Sequence, residues 1–289
     1  MPPANLSIIG ESINDSVPST HKLFEEGNID GIIQLARTQD EKGAAYIDVN
    51  VGLRAPAFMA DMVKRIQQVT AKPLSIDTPD PAIAEAGLAA YDPARAGGRR
   101  PILNSISPLR LTMFDLFKKR PFVPILLVSE RLSDGATAPC RTARETFDSG
   151  IFMLDQCREH MGSFTPLDCI IDPGIAPLGS DFEGNLKRLL SAMEMFHGDK
   201  RFNGAHFSVG LSNFTVMLPS RKSDGSPVKG PLESAFLTLA MPLGLDTVIG
   251  SASRKYEELE AGHPALTCLQ DFLQLEGYDG LGRVREFYM

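Results

Sequence analysis

An α/β fold, a single (β/α)8 TIM barrel running over residues 1–289, is what three features of the sequence predict. Short Val/Ile/Leu-rich runs alternate with segments of helical apolar spacing, eight times and with no break in composition. Strands alternating with helices of this length imply a parallel sheet. The first unit carries no Gly-x-Gly-x-x-Gly, and no Walker-type loop occurs anywhere, so the usual marks of an open doubly wound sheet are missing. Most of the apolar runs also end in a carboxylate or a carboxamide, as barrel strands do where their C-terminal ends surround a site.

The units read in order as follows. Leu6-Ser-Ile-Ile-Gly10 is the first strand, ending at Glu11, and a loop with Asn14, Asp15 and Pro18 follows. Asn28 caps a helix marked by Ile32, Ile33, Leu35 and Ala36 and stopped by Gly43. Residues 45–51 form the second strand. Pro56 then opens a helix whose apolar face is Met59, Met62, Val63 and Ile66. Residues 73–77 are the third strand, and Asp80-Pro81 starts the helix over Ile83, Ala86 and Ala90. The Gly, Pro and Arg content of residues 91–100 predicts a surface loop. Strand 102–104, helix 109–117 and strand 122–128 come next, then a Ser, Asp, Gly and Ala rich loop over 130–139. A helix over 143–161 precedes strand 169–172 and a helix marked by Phe182, Leu186, Leu189, Leu190 and Met193. The seventh strand is 207–213, followed by a polar stretch to Gly230 and a helix over 232–243. Strand 247–250 and a helix over 265–275 complete the eight.

A chain of 289 residues buries roughly three quarters of its unfolded surface, so no disulfide or metal is needed to staple it. Apolar content of 43% and charge of 22% are ordinary for a globular protein. A net charge of −7 argues against nucleic acid as a partner, because that footprint is basic. The N-terminal residues carry no basic and apolar leader pattern, and no apolar run approaches the roughly 18 residues of a spanning helix. The expectation is a cytoplasmic protein without membrane contact. Cys140, Cys157, Cys169 and Cys268 are scattered, which fits free thiols in a reducing compartment. Asn213-Phe-Thr matches a glycosylation sequon, discarded because no secretory signal accompanies it.

The polar ends are Glu11, Asp48, Asn50, Asp77, Asn104, Asp172 and Asn213. In a barrel of this class they converge on one mouth. Any one of them could instead be a turn former or a helix cap, and for Asp77, followed by Thr-Pro-Asp-Pro, capping is a specific alternative. Capping does not account for so many strands ending alike. The acids could hold Mg²⁺ or Ca²⁺, but the asparagines bring paired donors and acceptors with little charge, so no metal is expected. The five histidines lack zinc-ligand spacing, and His206 begins the seventh strand at the end away from the mouth. Carboxylates beside carboxamides read a flat, amide-like heterocycle edge-on. A pterin is one such ring among others.

Seven stretches then resemble a known family. Ile9-Gly-Glu-Ser-Ile-Asn14, Tyr46-Ile-Asp-Val-Asn-Val-Gly52, Ser75-Ile-Asp-Thr78, Leu103-Asn-Ser105, Ile171-Asp-Pro173, Gly210-Leu-Ser-Asn213 and Ala240-Met-Pro-Leu-Gly-Leu-Asp246 occur in order over residues 6–250. Together they resemble the pterin-binding methyltransferases that act with corrinoid proteins, a group related to the folate domain of cobalamin-dependent methionine synthase. The resemblance implies a homodimeric barrel moving a methyl group between N5 of tetrahydrofolate and the cobalt of a corrinoid (cobalamin) carried by a partner protein. It implies that Asp77, Asn104 and Asp172 hold the pterin ring and that Asn213 reaches N5. Glu11, Asp48, Asn50, Gly210 and Ser212 would line the same mouth, with Asn213 and Asp77 closest to the chemistry.

Two rivals accompany this reading. Dihydropteroate synthases share the barrel and the pterin-holding acids, but carry a lysine where this chain has Asn213, and their Asn-x-Thr-Pro-Asp-Ser-Phe start is absent here. Ser253-Arg254-Lys255 resembles a phosphate or sulfate grip, with a surface loop as the plainer reading. A non-catalytic pterin-binding or corrinoid-docking subunit is the second rival. The chain departs from the methyltransferase pattern at Ser12, usually Arg, and at Gly174, usually apolar. No Asp-x-His-x-x-Gly signature is present, so the corrinoid is expected on a separate protein. The basic stretches 91–100 and 218–230 are read either as grips for a glutamate tail or a partner, or as solvated loop charge.

Overall fold

The structure, a computed structural model, describes residue 3, residues 5–133 and residues 136–289. Eight parallel strands close into a barrel: β1 (Ser7–Asn14), β2 (Tyr46–Asn50), β3 (Leu74–Asp77), β4 (Ile102–Ile106), β5 (Val123–Leu127), β8 (Ile170–Asp172), β9 (His206–Gly210) and β10 (Thr247–Gly250). Each pairs with its neighbour in the chain, and β1 closes the ring against β10, with Ser7 opposite Thr247 and Gly10 opposite Gly250. β6 (Glu130–Ser133) and β7 (Ala136–Pro139) form a separate antiparallel pair. The sequence predicts a loop there, and its residues 134 and 135 lie outside the described ones.

Around the barrel run α1 (Pro18–Glu25), α2 (Ile29–Glu41), α3 (Pro56–Ile66), α4 (Pro81–Ala90), α5 (Ala143–Met161), α6 (Asn185–His197), α7 (Leu211–Phe214), α8 (Lys229–Ala240), α9 (Pro264–Phe272) and α10 (Gly277–Tyr288). The caps read from the sequence hold. Asn28 accepts from the Gly31 N–H, and Asp80 accepts from Ala82 and Ile83, which satisfies amide groups that a helix start leaves free. Thr142 and Glu145 close a capping box on α5.

Several elements differ from the prediction. α1 occupies what reads as loop after Asn14, because Pro18 starts a helix that packs Thr20 and Phe24 inward. The fourth helix is a 3-10 segment, Leu111–Lys118, with Met113, Phe114 and Leu116 buried. Phe182 lies ahead of α6 rather than in it and is half exposed. The seventh strand stops at Gly210, and α7 takes over. α10 follows the predicted last helix and packs Val284 and Phe287 inward. No helix among the described residues is long and apolar enough to cross a membrane.

The core has two parts. Ile9, Ile102, Ile125 and Ile170 form a small cluster of their own inside the barrel, while the large cluster fills the space between strands and helices. Alternation along a strand puts every second residue on the same face. The residues two beyond this isoleucine layer therefore also face the barrel axis, nearer its C-terminal mouth. They include Asn104 and Asp172. Outside the barrel, the Phe196 ring of α6 packs on Phe147, Phe202 and Phe207 at centroid distances of 5.4, 4.7 and 5.5 Å. Phe196→Ala is expected to cost about 3–5 kcal/mol of stability, read as a lower urea midpoint at unchanged slope.

Candidate functional site

The predicted site residues do gather at one mouth, though in two tiers. Asp48 is the middle residue of β2 and fully buried, so it lies a layer below the strand end. Asn50 ends β2 and Asp77 ends β3, and Asn50 Nδ2 donates to Asp77 Oδ2 over 2.9 Å. Asn104 sits mid-strand in β4, opposite Asp77 in the parallel register. Glu11 lies where the β1–β2 register shifts between Gly10 and Ile13. Such an irregularity re-aims side chains at a barrel rim. Asp77 does not cap α4, since Asp80 does. That removes the capping alternative for Asp77.

The acids are held in a poorly solvated place. Neither oxygen of Asp48 has a hydrogen bond of ordinary geometry among the described residues, although Ser75, Asn104 and the Asp77 carboxylate lie around it. Burial, then the negative charges of Asp77 and Glu11, push its pKa well above the ordinary carboxylate range. Burial likewise raises Asp77, partly offset by the Asn50 amide. Burial also raises Glu11, against the bond it accepts from Ser212 Oγ and the charge of Arg254.

Asp172 ends β8 with Oδ1 accepting the Gly174 N–H at 2.8 Å and Oδ2 facing Ser208 Oγ at 3.4 Å. Buried Arg188 of α6 donates to the Pro173 and Gly174 carbonyls, both at 3.1 Å, and so fixes the turn behind it. Gly174 has φ +70, and a Cβ there would meet Ser129 Cβ at 2.6 Å. This accounts for glycine where the family pattern has an apolar residue.

Asn213 requires a correction. It does not end a strand but sits on α7, exposed, one residue past Ser212. Its amide folds back over Gly210, and a Cβ at that glycine would lie 2.8 Å from Asn213 Nδ2. A side chain at Gly210 would push that exposed amide aside, so the residue type at 210 bears on where the amide rests.

The basic stretches divide. Residues 91–100 precede β4 and belong to the opposite, N-terminal face. Arg100 pairs with Asp168 at 2.5 Å, just before β8, and Arg99 donates to the carbonyl of Ala71, before β3. This stretch does not reach the mouth. Residues 218–230 follow α7 and lie on the mouth side, with Lys222 3.6 Å from the Phe287 ring centroid. Ser253-Arg254-Lys255 is no free anion grip. Arg254 Nε lies 3.0 Å from Glu233 Oε2, and Lys255 Nζ lies 2.7 Å from Glu257. His206 stays at the far end, paired with Asp246 at 2.6 Å. Among the described residues no group of three or more His, Cys, Asp or Glu is arranged to hold a metal.

Sequence reasoning misses Ser75, Ser208, Arg110, Thr215 and Glu233. Arg110 places a guanidinium near Asp77 and reaches Ser105 Oγ at 3.4 Å. Glu233, 1% exposed, had a signal. It is the one charged residue in the run Leu232-Glu-Ser-Ala-Phe-Leu237, where burial needs a partner.

Burial pushes the Asp172 carboxyl up to about 6. Between about pH 4 and 6 the folded protein therefore holds a proton that the unfolded chain has released, and stability falls as pH rises through that window. Asp172→Asn keeps an acceptor for Gly174 and removes the charge. The variant is expected to be more stable than the parent at pH 8 by about 1–3 kcal/mol, with the gap closing toward pH 4. Urea unfolding at the two pH values checks this.

Comparison with known proteins agrees with the geometry. The model of the pterin binding enzyme family matches residues 13–250. A methylcorrinoid:tetrahydrofolate methyltransferase of Eubacterium limosum is 28% identical over 256 residues, covering 84% of this chain and 83% of that protein. Dihydropteroate synthase structures share the fold. One from Xanthomonas albilineans, with 4-aminobenzoic acid, superposes with a TM-score of 0.59 at 17% identity, covering 94% of this chain and 95% of that one. One from Thermus thermophilus gives 0.57 at 17% identity, with 86% and 88% covered. With a closed barrel, a mouth of buried acids and a family match across most of its length, the chain belongs to the pterin-binding enzymes.

Proposed function

We propose that the protein transfers a methyl group between N5 of tetrahydrofolate and the cobalt of a corrinoid carried by a partner protein. The observation that carries the pterin half is Asp48. A fully buried carboxyl whose oxygens make no hydrogen bond of ordinary geometry among the described residues lies directly beneath the acids and amides of the mouth, and a polar cluster so poorly satisfied calls for a donor-rich partner above it, which the N–H groups of a pterin's amino-pyrimidine edge supply. Asp77, Asn104 and Asp172 add further donors and acceptors at the same mouth.

The methyl-transfer half rests on the Eubacterium limosum relative and on the character of the rim. An uncharged amide, Asn213, stands at the mouth, and both cations of Ser253-Arg254-Lys255 are engaged by acids. The neutral amide of Asn213, where dihydropteroate synthases carry a lysine, sets the dihydropteroate synthase reading second. Leu53, Leu109, Val216 and Met217 are exposed on connections that follow β2, β4 and β9. Together they offer apolar surface around the mouth for a protein partner.

The corrinoid supplies the cobalt that accepts or returns the methyl group. The chain's own task concerns N5. A methyl on a tertiary amine is a poor electrophile unless the nitrogen gains a proton as it departs, so a contact that strengthens with that proton lowers the barrier. Asn213 can accept from N5–H⁺ but is not itself an acid. Glu11, joined to the neighbouring Ser212 and with its pKa raised by burial, is the nearest group suited to hold a proton. In the reverse direction the same groups leave the N5 lone pair free to attack.

Methyltetrahydrofolate and cob(I)alamin, followed by the cobalt spectrum, test the proposal. The protein is expected to accelerate formation of methylcobalamin. Asn213→Ala is expected to lower kcat about a hundredfold while pterin binding changes far less. Full turnover in that variant contradicts the role given to Asn213. Pterin binding by the parent protein without transfer would favour the non-catalytic subunit.

A further inference from the structure

Asn213 rides on a helical turn that cannot hold itself. α7 is four residues long and no side chain caps it among the described residues, and a lone turn of helix is unstable because nucleation costs more than one hydrogen bond returns. Two hydroxyls flank Asn213 on that turn, and each is tied to a glutamate from elsewhere in the barrel. Ser212 Oγ donates to Glu11 Oε1 of β1. Thr215 Oγ1, 1% exposed, donates to Glu233 Oε1 of α8 over 2.6 Å. Glu233 is as deeply buried as Thr215, and its second oxygen lies 3.0 Å from Arg254 Nε. The charge of Arg254 acts on both glutamates, whose like charges otherwise oppose each other. β1, β10 and β9 are neighbours in the sheet. The contacts therefore run from β1 through Ser212 and α7 to Thr215, Glu233 and Arg254, the last just beyond β10.

We propose that Thr215, Glu233 and Arg254 are positioning residues that fix the 211–215 turn and thereby aim the Asn213 amide. A buried carboxylate on a helix needs an ion or donor to be tolerated, and here Glu233 accepts on one oxygen from the turn that carries Asn213, while the other faces Arg254 Nε as an ion pair without hydrogen-bond geometry. The same arrangement explains why Arg254, in a segment that resembles an anion grip, is committed inward. The proposal rests on Asn213 meeting N5 in the reading above.

Thr215→Val removes the hydroxyl at nearly constant shape, Thr215→Ser restores it, and Glu233→Gln keeps the acceptor while breaking the ion pair. Two readouts are paired: kcat and KM with methyltetrahydrofolate and cob(I)alamin, and amide hydrogen exchange over residues 211–216. Thr215→Val is expected to lower kcat tenfold or more with KM within threefold, and to speed exchange in 211–216 while the strands keep their protection. Thr215→Ser should recover both, and Glu233→Gln should speed exchange in the same segment. Should the valine variant not fold, the serine and glutamine variants decide. Parent-like exchange over 211–216 in the folded valine and glutamine variants overturns the proposal, as does a loss of protection spread over the whole chain. If the parent protein transfers no methyl group, the functional reading fails, and the exchange measurements still decide whether these residues hold the turn.

Discussion

Carboxyl groups buried inside a closed sheet are the constraint on which this molecule turns. Asp48 and Asp172 lie within a barrel whose floor is a cluster of isoleucines. There an ionised acid loses its hydration and regains little from neighbours. Asn50 serves Asp77, Ser208 faces Asp172, Ser212 serves Glu11, and Arg188 fixes the turn behind Asp172. Among the described residues, Asp48 is served by no bond of ordinary geometry. A fold selected for stability alone would place apolar side chains in these positions. Keeping acids there trades stability for a surface that can bind a polar ring, the usual direction of that exchange at functional sites.

The rim extends the logic outward. Asn213 is neutral, and the cations of the nearby Arg254-Lys255 pair are engaged by Glu233 and Glu257. Its orientation depends on a short turn fastened from both sides rather than on a strand end. A site built this way presents hydrogen-bonding groups in fixed directions, with a neutral amide at its rim. That character suits recognition of an uncharged heterocycle and a methyl group in flight better than the holding of a phosphate.

The barrel and most of the mouth were legible because alternation is a strong constraint. Once Ile102 and Ile170 face inward, Asn104 and Asp172 follow on the same face two residues later, while Glu11 sits at the register shift of β1. What escaped depends on partners distant in sequence. Glu233 stands out in its run, but its partners Thr215 and Arg254 come from other parts of the chain and are named only by the fold. The closeness of Gly210 to the Asn213 amide is visible only once the chain turns into α7. The stretch 91–100 is a different case. Its place before β4 already assigns it to the N-terminal face, so the element order carried the answer and its basic composition misled. The hairpin of β6 and β7 and the helices α1 and α10 lie outside the repeating unit, where the pattern that identifies the barrel gives no guidance.

The decisive measurement is a crystal structure with bound methyltetrahydrofolate. The pterin ring is expected deep in the mouth, its amino-pyrimidine edge bonded to the acids of β2, β3 and β8, with N5 facing the Asn213 amide. A pterin bound elsewhere, or one in the mouth with N5 turned away from α7, would contradict this reading of the site.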